Sequence, residues 1–292
     1  MSPDAVLRYP DDEYTLIKQA IAEHHHCSPD NITVGNGSAE ILRTLCHTIL
    51  SPGKTVYVAP HTFSEYEHSS RLAGAGLAGH EEDAVISFVC NPENPSGILT
   101  PKETIIAKIP KNSDGTNILC VDEAFIDLAD PGESVSDIQN PGLFVVRSLT
   151  KSFAIPGIRF GYGIGEPALV AAMEAMRPPW TVNVLAESIV LQAFSRYHEL
   201  GFSREMIKKE RKHLYNAIIS HGWRCIEGSA NYLLIDTGQD ARELTSRFLD
   251  HNILVRDCTS FDLPECIRIA VRTTEENNRL IEVMETLPSC TH

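Results

Sequence analysis

Leu143-Phe144-Val145-Val146-Arg147-Ser148-Leu149-Thr150-Lys151-Ser152-Phe153-Ala154-Ile155-Pro156-Gly157-Ile158-Arg159 is the stretch on which the reading of this chain turns. Its first four residues form an apolar run of strand length. A lysine between two hydroxyl side chains follows directly, and a glycine and an arginine come shortly after. An amine in that position can form a Schiff base with a carbonyl cofactor. The neighbouring hydroxyls and Arg159 offer a seat for a phosphate. A lone lysine in a turn after a strand is ordinarily a solvated surface residue, so the constellation, not the lysine, points to a site.

Moving outward, Val56 to Ala59, Val85 to Cys90 and Ile118 to Val121 are further short apolar runs without polar alternation. Such runs fit strands buried on both faces of a mostly parallel sheet. Between them, Ser38 to Leu50 reads as a helix with Ile41, Leu45 and Ile49 on one stripe, stopped by Ser51-Pro52-Gly53. The alternation argues for a layered α/β domain. A second regime begins near residue 200. Ser203 is expected to cap a long helix running to His221, with Glu205 in its first turn and Gly222 past its end. Strands at Tyr232 to Asp236 and Ile267 to Val271, around a helix near Ala241 to His251, then form a small α/β domain.

The 292 residues, 42% hydrophobic, suffice for one large domain or two modest ones. A formal net charge of -14 argues against a duplex-binding surface, which needs clustered Lys and Arg. Eight cysteines without a CxxC pair, including Cys90, Cys120 and Cys290, read as reduced core thiols of a cytoplasmic protein. Met1-Ser2-Pro3-Asp4 does not start a signal peptide, and no apolar run approaches membrane-spanning length.

Several motifs have two readings. Gly35-Asn36-Gly37-Ser38 before the first strong helix offers free backbone N–H groups to an anion, or is an ordinary cap. A dinucleotide fingerprint fails because Glu40 stands where a glycine is needed. Ile118-Leu119-Cys120-Val121-Asp122-Glu123 resembles the metal-holding strand of a nucleotide hydrolase. Gly53-Lys54-Thr55 lacks the partner glycine at Thr48 and precedes a strand, so the phosphate loop is missing. Asp122 is better placed to pair with a protonated ring nitrogen, at the sheet edge where α/β folds bind ligands. Asn91-Pro92-Glu93-Asn94-Pro95-Ser96-Gly97 is either a turn or a set of fixed donors at that edge. His24-His25-His26 has no partners at ligand spacing and is expected to be a solvated helix end. No metal site is expected.

In this chain order, the glycine turn, Asn-Pro-x-Asn-Pro, Asp-Glu-Ala and Ser-Leu-Thr-Lys with Arg159 resemble the fold-type-I pyridoxal-phosphate enzymes over nearly the whole chain. The resemblance implies a large domain (31–198) with a mostly parallel sheet flanked by helices. It also implies a small α/β domain made of residues 1–30 and 199–292. Lys151 would hold pyridoxal 5′-phosphate as a Schiff base. Asp122 would pair with the ring nitrogen, Asn94 with the ring hydroxyl, and Phe63 would stack on the ring. Gly37, Ser38, Ser148, Thr150 and Arg159 would hold the cofactor phosphate. Tyr9 would reach the phosphate of a neighbouring subunit in a homodimer.

Within that group the chain resembles the histidinol-phosphate aminotransferase branch, and most of all the threonine-phosphate decarboxylases of cobalamin biosynthesis. The finer match rests on residues 60–66, 122–127, 177–183, 255–258 and 267–273, including Pro178-Pro179-Trp180 and phenylalanine at positions 63 and 125. It implies a small phosphorylated amino-acid substrate whose phosphate is clamped by Arg256 and Arg268. Decarboxylation of threonine phosphate is the expected reaction, transamination of histidinol phosphate or a related amine is the alternative, and a weakly active scaffold is a third reading. The group normally begins a few dozen residues earlier with a segment that covers the substrate, so that lid is expected to be missing or replaced. The stretch between Tyr66 and Val85 is expected to be too short for the usual strand and helix.

Overall fold

The computed structural model describes residues 6–111 and 116–287; Met1–Asp4 and Cys290 lie outside them. In the first half, α1 (Thr15–His25), β1 (Ile32–Gly35), α2 (Ser38–Ile49), β2 (Thr55–Val58), α3 (Glu65–Leu72), β3 (Gly76–Leu77), β4 (Ile86–Cys90) and α4 (Lys102–Lys108) follow in order. Then come β5 (Ile118–Asp122), β6 (Leu143–Ser148), the single-turn α5 (Leu149–Ser152), β7 (Gly161–Ile164), α6 (Pro167–Met176) and α7 (Val184–Ser195). Seven strands form one sheet in the order β1-β7-β6-β5-β4-β2-β3. Only β7 runs antiparallel to its neighbours. The apolar runs become central strands because every residue of β5 and β6 is buried, leaving no solvent face to demand alternation. The stretch after Tyr66 is not too short for a helix and a strand: it holds the rest of α3, the two-residue β3 at the sheet edge and a 3₁₀ turn at Glu81–Asp83.

Helices cover both faces. On one, Ile41, Leu42 and Leu45 of α2 pack with Val56, Phe88, Phe144 and Met173. On the other, Tyr14, Ile17, Ile21 and Val190 pack with Val121, Val145 and Tyr162. This second core corrects two expectations. The described part of residues 1–30 belongs with the large sheet, because the stripe of α1 is buried there. That stripe, Ile17, Ile21, His25, runs at helical i, i+4 spacing into the histidine run. His25 is therefore buried, not solvated. Its Nε2 lies 2.9 Å from the Tyr162 hydroxyl and its Nδ1 3.1 Å from Ser136 Oγ. Burial pushes its pKa down to about 2, so it stays neutral.

The second half holds α8 (Leu200–Ser220), β8 (Arg224–Cys225), β9 (Tyr232–Asp236), α9 (Ala241–Asp250), β10 (Arg256–Asp257), β11 (Cys266–Ala270) and α10 (Thr274–Glu285). Its four strands form an antiparallel sheet in the order β10-β11-β9-β8, backed by Leu214, Ile218, Leu244 and Phe248. Here α8 begins one turn before the expected cap. A 3₁₀ turn at Tyr197–Glu199 feeds straight into it and buries Leu200, which leaves Ser203 inside the helix. We propose two domains that follow the two sheets, with α1 in the larger. Among the described residues, all seven cysteines are free thiols, and no helix is long and apolar enough to cross a membrane.

The glycine turn before α2 is wedged against the start of β7. A Cβ on Gly161 would lie 2.3 Å from the Ser38 backbone nitrogen and 2.7 Å from the Gly37 carbonyl carbon. Gly161→Ala must therefore push the turn away from the sheet. A loss of about 3 kcal/mol in urea unfolding is expected, with Ser38 displaced.

Candidate active site

The C-terminal ends of β4, β5 and β6, the N-terminus of α2 and β11 of the small sheet converge on a cleft of ≈ 250 Å³. Ser38, Phe63, Asn94, Asp122, Ser148, Thr150, Lys151, Arg159 and Arg268 all line it. The structure thus brings together nine of the twelve site residues expected from sequence. Gly37 abuts the same wall: it caps α2 at φ 89, and a Cβ there would lie 2.4 Å from Arg159 Nη2. Two residues stand apart. Tyr9 is 78% exposed and packs on Trp180, ring centroids 4.6 Å apart. Arg256 is exposed and donates to Ser260 Oγ at 2.7 Å, although the β10–β11 register sets it beside Arg268.

Successive residues of a strand face opposite ways, and this sorts the charges. At the end of β5, Asp122 faces the cleft while Glu123 turns to the other side of the sheet. On β6, Ser148 faces the cleft and Arg147 turns away. Arg147, 2% exposed, donates to Glu123 Oε2 at 2.8 Å and also bonds Asp127. Ser134 Oγ and the Val135 N–H complete the shell of Glu123 at 2.6 and 2.7 Å. Asp127 in turn accepts from Ser152 Oγ at 2.7 Å, which anchors the turn of helix carrying Lys151. A wider, open depression of ≈ 690 Å³ beside His24, Tyr197 and Arg204 reaches this cluster. Its cations are already matched: Arg147 by its two acids, Lys102 by Asp137, and Arg204 by the Asp127 carbonyl.

In the cleft, Asp122 accepts from the Tyr66 hydroxyl at 2.8 Å and from the Ala124 N–H at 3.0 Å. Burial raises its pKa, against the opposing pull of these two hydrogen bonds and of the Lys151 charge. Burial, and then the charges of Arg268 and Arg159, lower the pKa of Lys151, which favours the neutral amine. Ser148 and Thr150 hydroxyls lie 2.8 Å apart. With Arg159 and the N–H groups at the start of α2 they offer a set of donors that an anion could take. Opposite, Arg268 bonds Asn94 Oδ1. Tyr66 is the site residue that sequence reasoning missed. Its signal was a tyrosine at a helix position facing the sheet, where a buried hydroxyl requires a partner. Among the described residues no cluster could hold a metal ion.

The arrangement accepts a planar cofactor with a protonated ring nitrogen, a carbonyl and a phosphate. Each of those groups would find a matching donor or acceptor: Asp122, the Lys151 amine, and the Ser148–Thr150–Arg159 donors.

Two outcomes follow from these electrostatics. Arg147→Met leaves Glu123 and Asp127 buried without their cation, and a destabilisation of about 3–5 kcal/mol in urea unfolding is expected. Lys151→Met should raise the melting temperature of the cofactor-free protein at pH 7. The folded lysine has its pKa below the ordinary lysine value of 10.5, so the cost of its charge is in force at low pH. That cost disappears as pH rises through the depressed pKa toward 10.5, and the gain from the substitution should shrink over the same window.

A family model, "Aminotransferase class I and II", matches residues 2–81 and 75–284. The histidinol-phosphate aminotransferase of Methanothermobacter thermautotrophicus is 32% identical over 308 residues, covering 96% of this chain and 81% of that protein. That of Symbiobacterium thermophilum is 30% identical over 295 residues, 95% and 81% of the two chains. Among solved structures, the histidinol-phosphate aminotransferase from Clostridium acetobutylicum superimposes with a TM-score of 0.88 at 25% identity, covering 97% of this chain and 91% of its own. The L-threonine-O-3-phosphate decarboxylase from Porphyromonas gingivalis gives 0.87 at 20% identity, 97% and 91%, a likeness of fold. With a family match over most of its length and the lysine-centred cleft in place, the chain belongs to the class I and II aminotransferases.

Proposed function

We propose that the chain is an aminotransferase acting on an amino substrate that carries a phosphate, of the histidinol-phosphate type. The observation that carries the reading is the cleft itself. A lysine amine of lowered pKa shares it with a buried carboxylate and a phosphate seat on one side, and with Arg268 on the other. The sequence relatives described above favour transamination over the decarboxylation expected from the motifs. The cofactor is pyridoxal 5′-phosphate, the group bound in the related Sinorhizobium meliloti histidinol-phosphate aminotransferase. When bound, it supplies an electron sink for a bond at the substrate carbon that bears the amine.

The protein's residues do the rest. Asp122, held by Tyr66 and Ala124, would offer its carboxylate to the ring nitrogen. Asn94 would meet the ring hydroxyl and Phe63 the ring face. Gly37, Ser38, Ser148, Thr150 and Arg159 would fix the phosphate. Lys151 Nζ, whose lowered pKa favours the neutral amine, would take the proton that leaves the substrate carbon and hand it to the cofactor's own carbonyl carbon. Arg268 would bind the substrate's anionic end, with Arg256 as a second cation there, and so choose which bond is presented. Binding energy remote from the reacting carbon thereby selects the reaction. Tyr9, exposed beside Trp180, would reach into a partner subunit of a homodimer.

A second reading, decarboxylation of threonine phosphate, is favoured by phenylalanine at position 125 and by the Pro178-Pro179-Trp180 element. One panel separates the two. Purified protein is mixed with histidinol phosphate and a 2-oxo acid, and separately with threonine phosphate. Amino-group transfer to the 2-oxo acid is expected from the first mixture, and carbon dioxide from neither. Carbon dioxide from threonine phosphate, without amino transfer, would move the assignment to the decarboxylase. Borohydride treatment should attach the cofactor to Lys151; a purified protein that takes up no label there would sink both readings.

A further inference from the structure

Tyr232 lies outside every motif that identified the site, yet it touches each wall of the cleft's far end. It opens β9, is 4% exposed, and pairs across the sheet with Ala270. Arg268 is its diagonal neighbour on β11, within reach of a large side chain. The guanidinium sits 4.9 Å from the centroid of the Tyr232 ring. The ring also meets Phe125 edge-on at 5.0 Å, and Phe125 in turn lies under Lys151 Nζ at 5.8 Å. At its tip, the hydroxyl donates to the Glu93 carbonyl at 2.7 Å. Glu93 precedes Asn94, whose side chain accepts from Arg268. The contacts close a ring: Tyr232 to Glu93, Asn94, Arg268 and back to Tyr232.

The backbone around this ring leaves no slack. Ser229 donates to the Gly97 carbonyl at 2.6 Å, and a Cβ on Gly228 would lie 2.8 Å from the Gly97 carbonyl. The loop that bears Asn94 is thus pressed onto the strand that bears Tyr232. Burial raises the phenol pKa well above its usual value, so the hydroxyl remains a donor at any working pH.

We infer that Tyr232 is a positioning residue: its ring and hydroxyl together set Arg268 against Asn94, and the protein's selectivity for an anionic substrate passes through it. A guanidinium over a buried aromatic face loses rotational freedom and keeps its charge toward the cleft. The inference rests on the substrate class proposed above.

The test compares Tyr232→Phe, which keeps the ring and loses the tether, with Tyr232→Leu, which loses both. Absorbance titrations of the holoenzyme give affinities for histidinol phosphate and for histidinol. Their ratio isolates the contribution of the phosphate. In Tyr232→Leu the ratio should fall roughly tenfold or more, and less in Tyr232→Phe, with unchanged cofactor per chain. In an Arg268→Lys background, Tyr232→Leu should change the ratio by less than about twofold, as coupled residues are non-additive. A wild-type ratio in Tyr232→Leu, or an equal loss in both backgrounds, would overturn the inference. A wild-type enzyme that does not prefer the phosphorylated amine refutes the substrate class instead. A crystal structure of the Tyr232→Leu holoenzyme then decides the positioning role: Arg268 displaced from Asn94 supports it, and Arg268 unmoved overturns it. If the leucine variant does not fold, the phenylalanine variant carries both measurements.

Discussion

The buried contact of Arg147 with Glu123 and Asp127 is the constraint on which the site depends. Two strands must end side by side with an acid and a lysine-bearing turn aimed into one cleft. Apolar packing alone lets strands slide, whereas three charges buried together tolerate little displacement, since each would otherwise be unpaired in a medium of low dielectric. Because strand residues alternate, locking Glu123 and Arg147 on one face fixes Asp122 and Ser148 on the other. Asp127 passes the constraint through Ser152 to the turn that holds Lys151. The polar cluster is behind the sheet, so the cleft is free to keep its own charges unmatched.

Much of the fold was legible because burial on both faces writes itself into sequence as unbroken apolar runs. The glycine turn before α2 was legible for a different reason: a positive φ and a guanidinium in close approach leave no room for a side chain. The errors have a common cause. Polar and charged residues that belong to the interior look like surface when read alone. Arg147 and Ser148 were left off the end of β6, His25 was assigned to solvent, and α8 was started at a serine. In the first two cases the partner that makes burial possible comes from elsewhere in the chain, Glu123 or Tyr162; in the third an adjacent 3₁₀ turn starts the helix earlier. Tyr66 and Tyr232 escaped notice similarly, since their hydroxyls find Asp122 and Glu93 only after folding. The reaction was less legible than the cofactor chemistry. Phenylalanines at positions 63 and 125, a Pro-Pro-Trp element and a few short stretches suggested a decarboxylase, while similarity along the whole chain points to aminotransferases.

The charge of the molecule and the charge of its cleft have opposite signs. Over the whole sequence acids outnumber bases, giving a formal net charge of -14. Lining the cleft, however, Lys151, Arg159 and Arg268 face the single carboxylate of Asp122. An anionic ligand is repelled by the general surface and attracted at one place, which favours entry at the cleft over loose binding elsewhere.

The reversed direction of β7 has a consequence for how the site assembles. A parallel strand after β6 would need a crossover to the far edge of the sheet before returning. By running antiparallel, β7 starts at the edge where β6 ends, and the link 149–160 holds both the amine and the guanidinium. Closing so short a link costs little chain entropy. Lys151 and Arg159 are thus neighbours by local chain geometry, whereas Arg268 must arrive from the other sheet. During synthesis the half of the cleft that carries the amine can form while the half that carries Arg268 is still to be made.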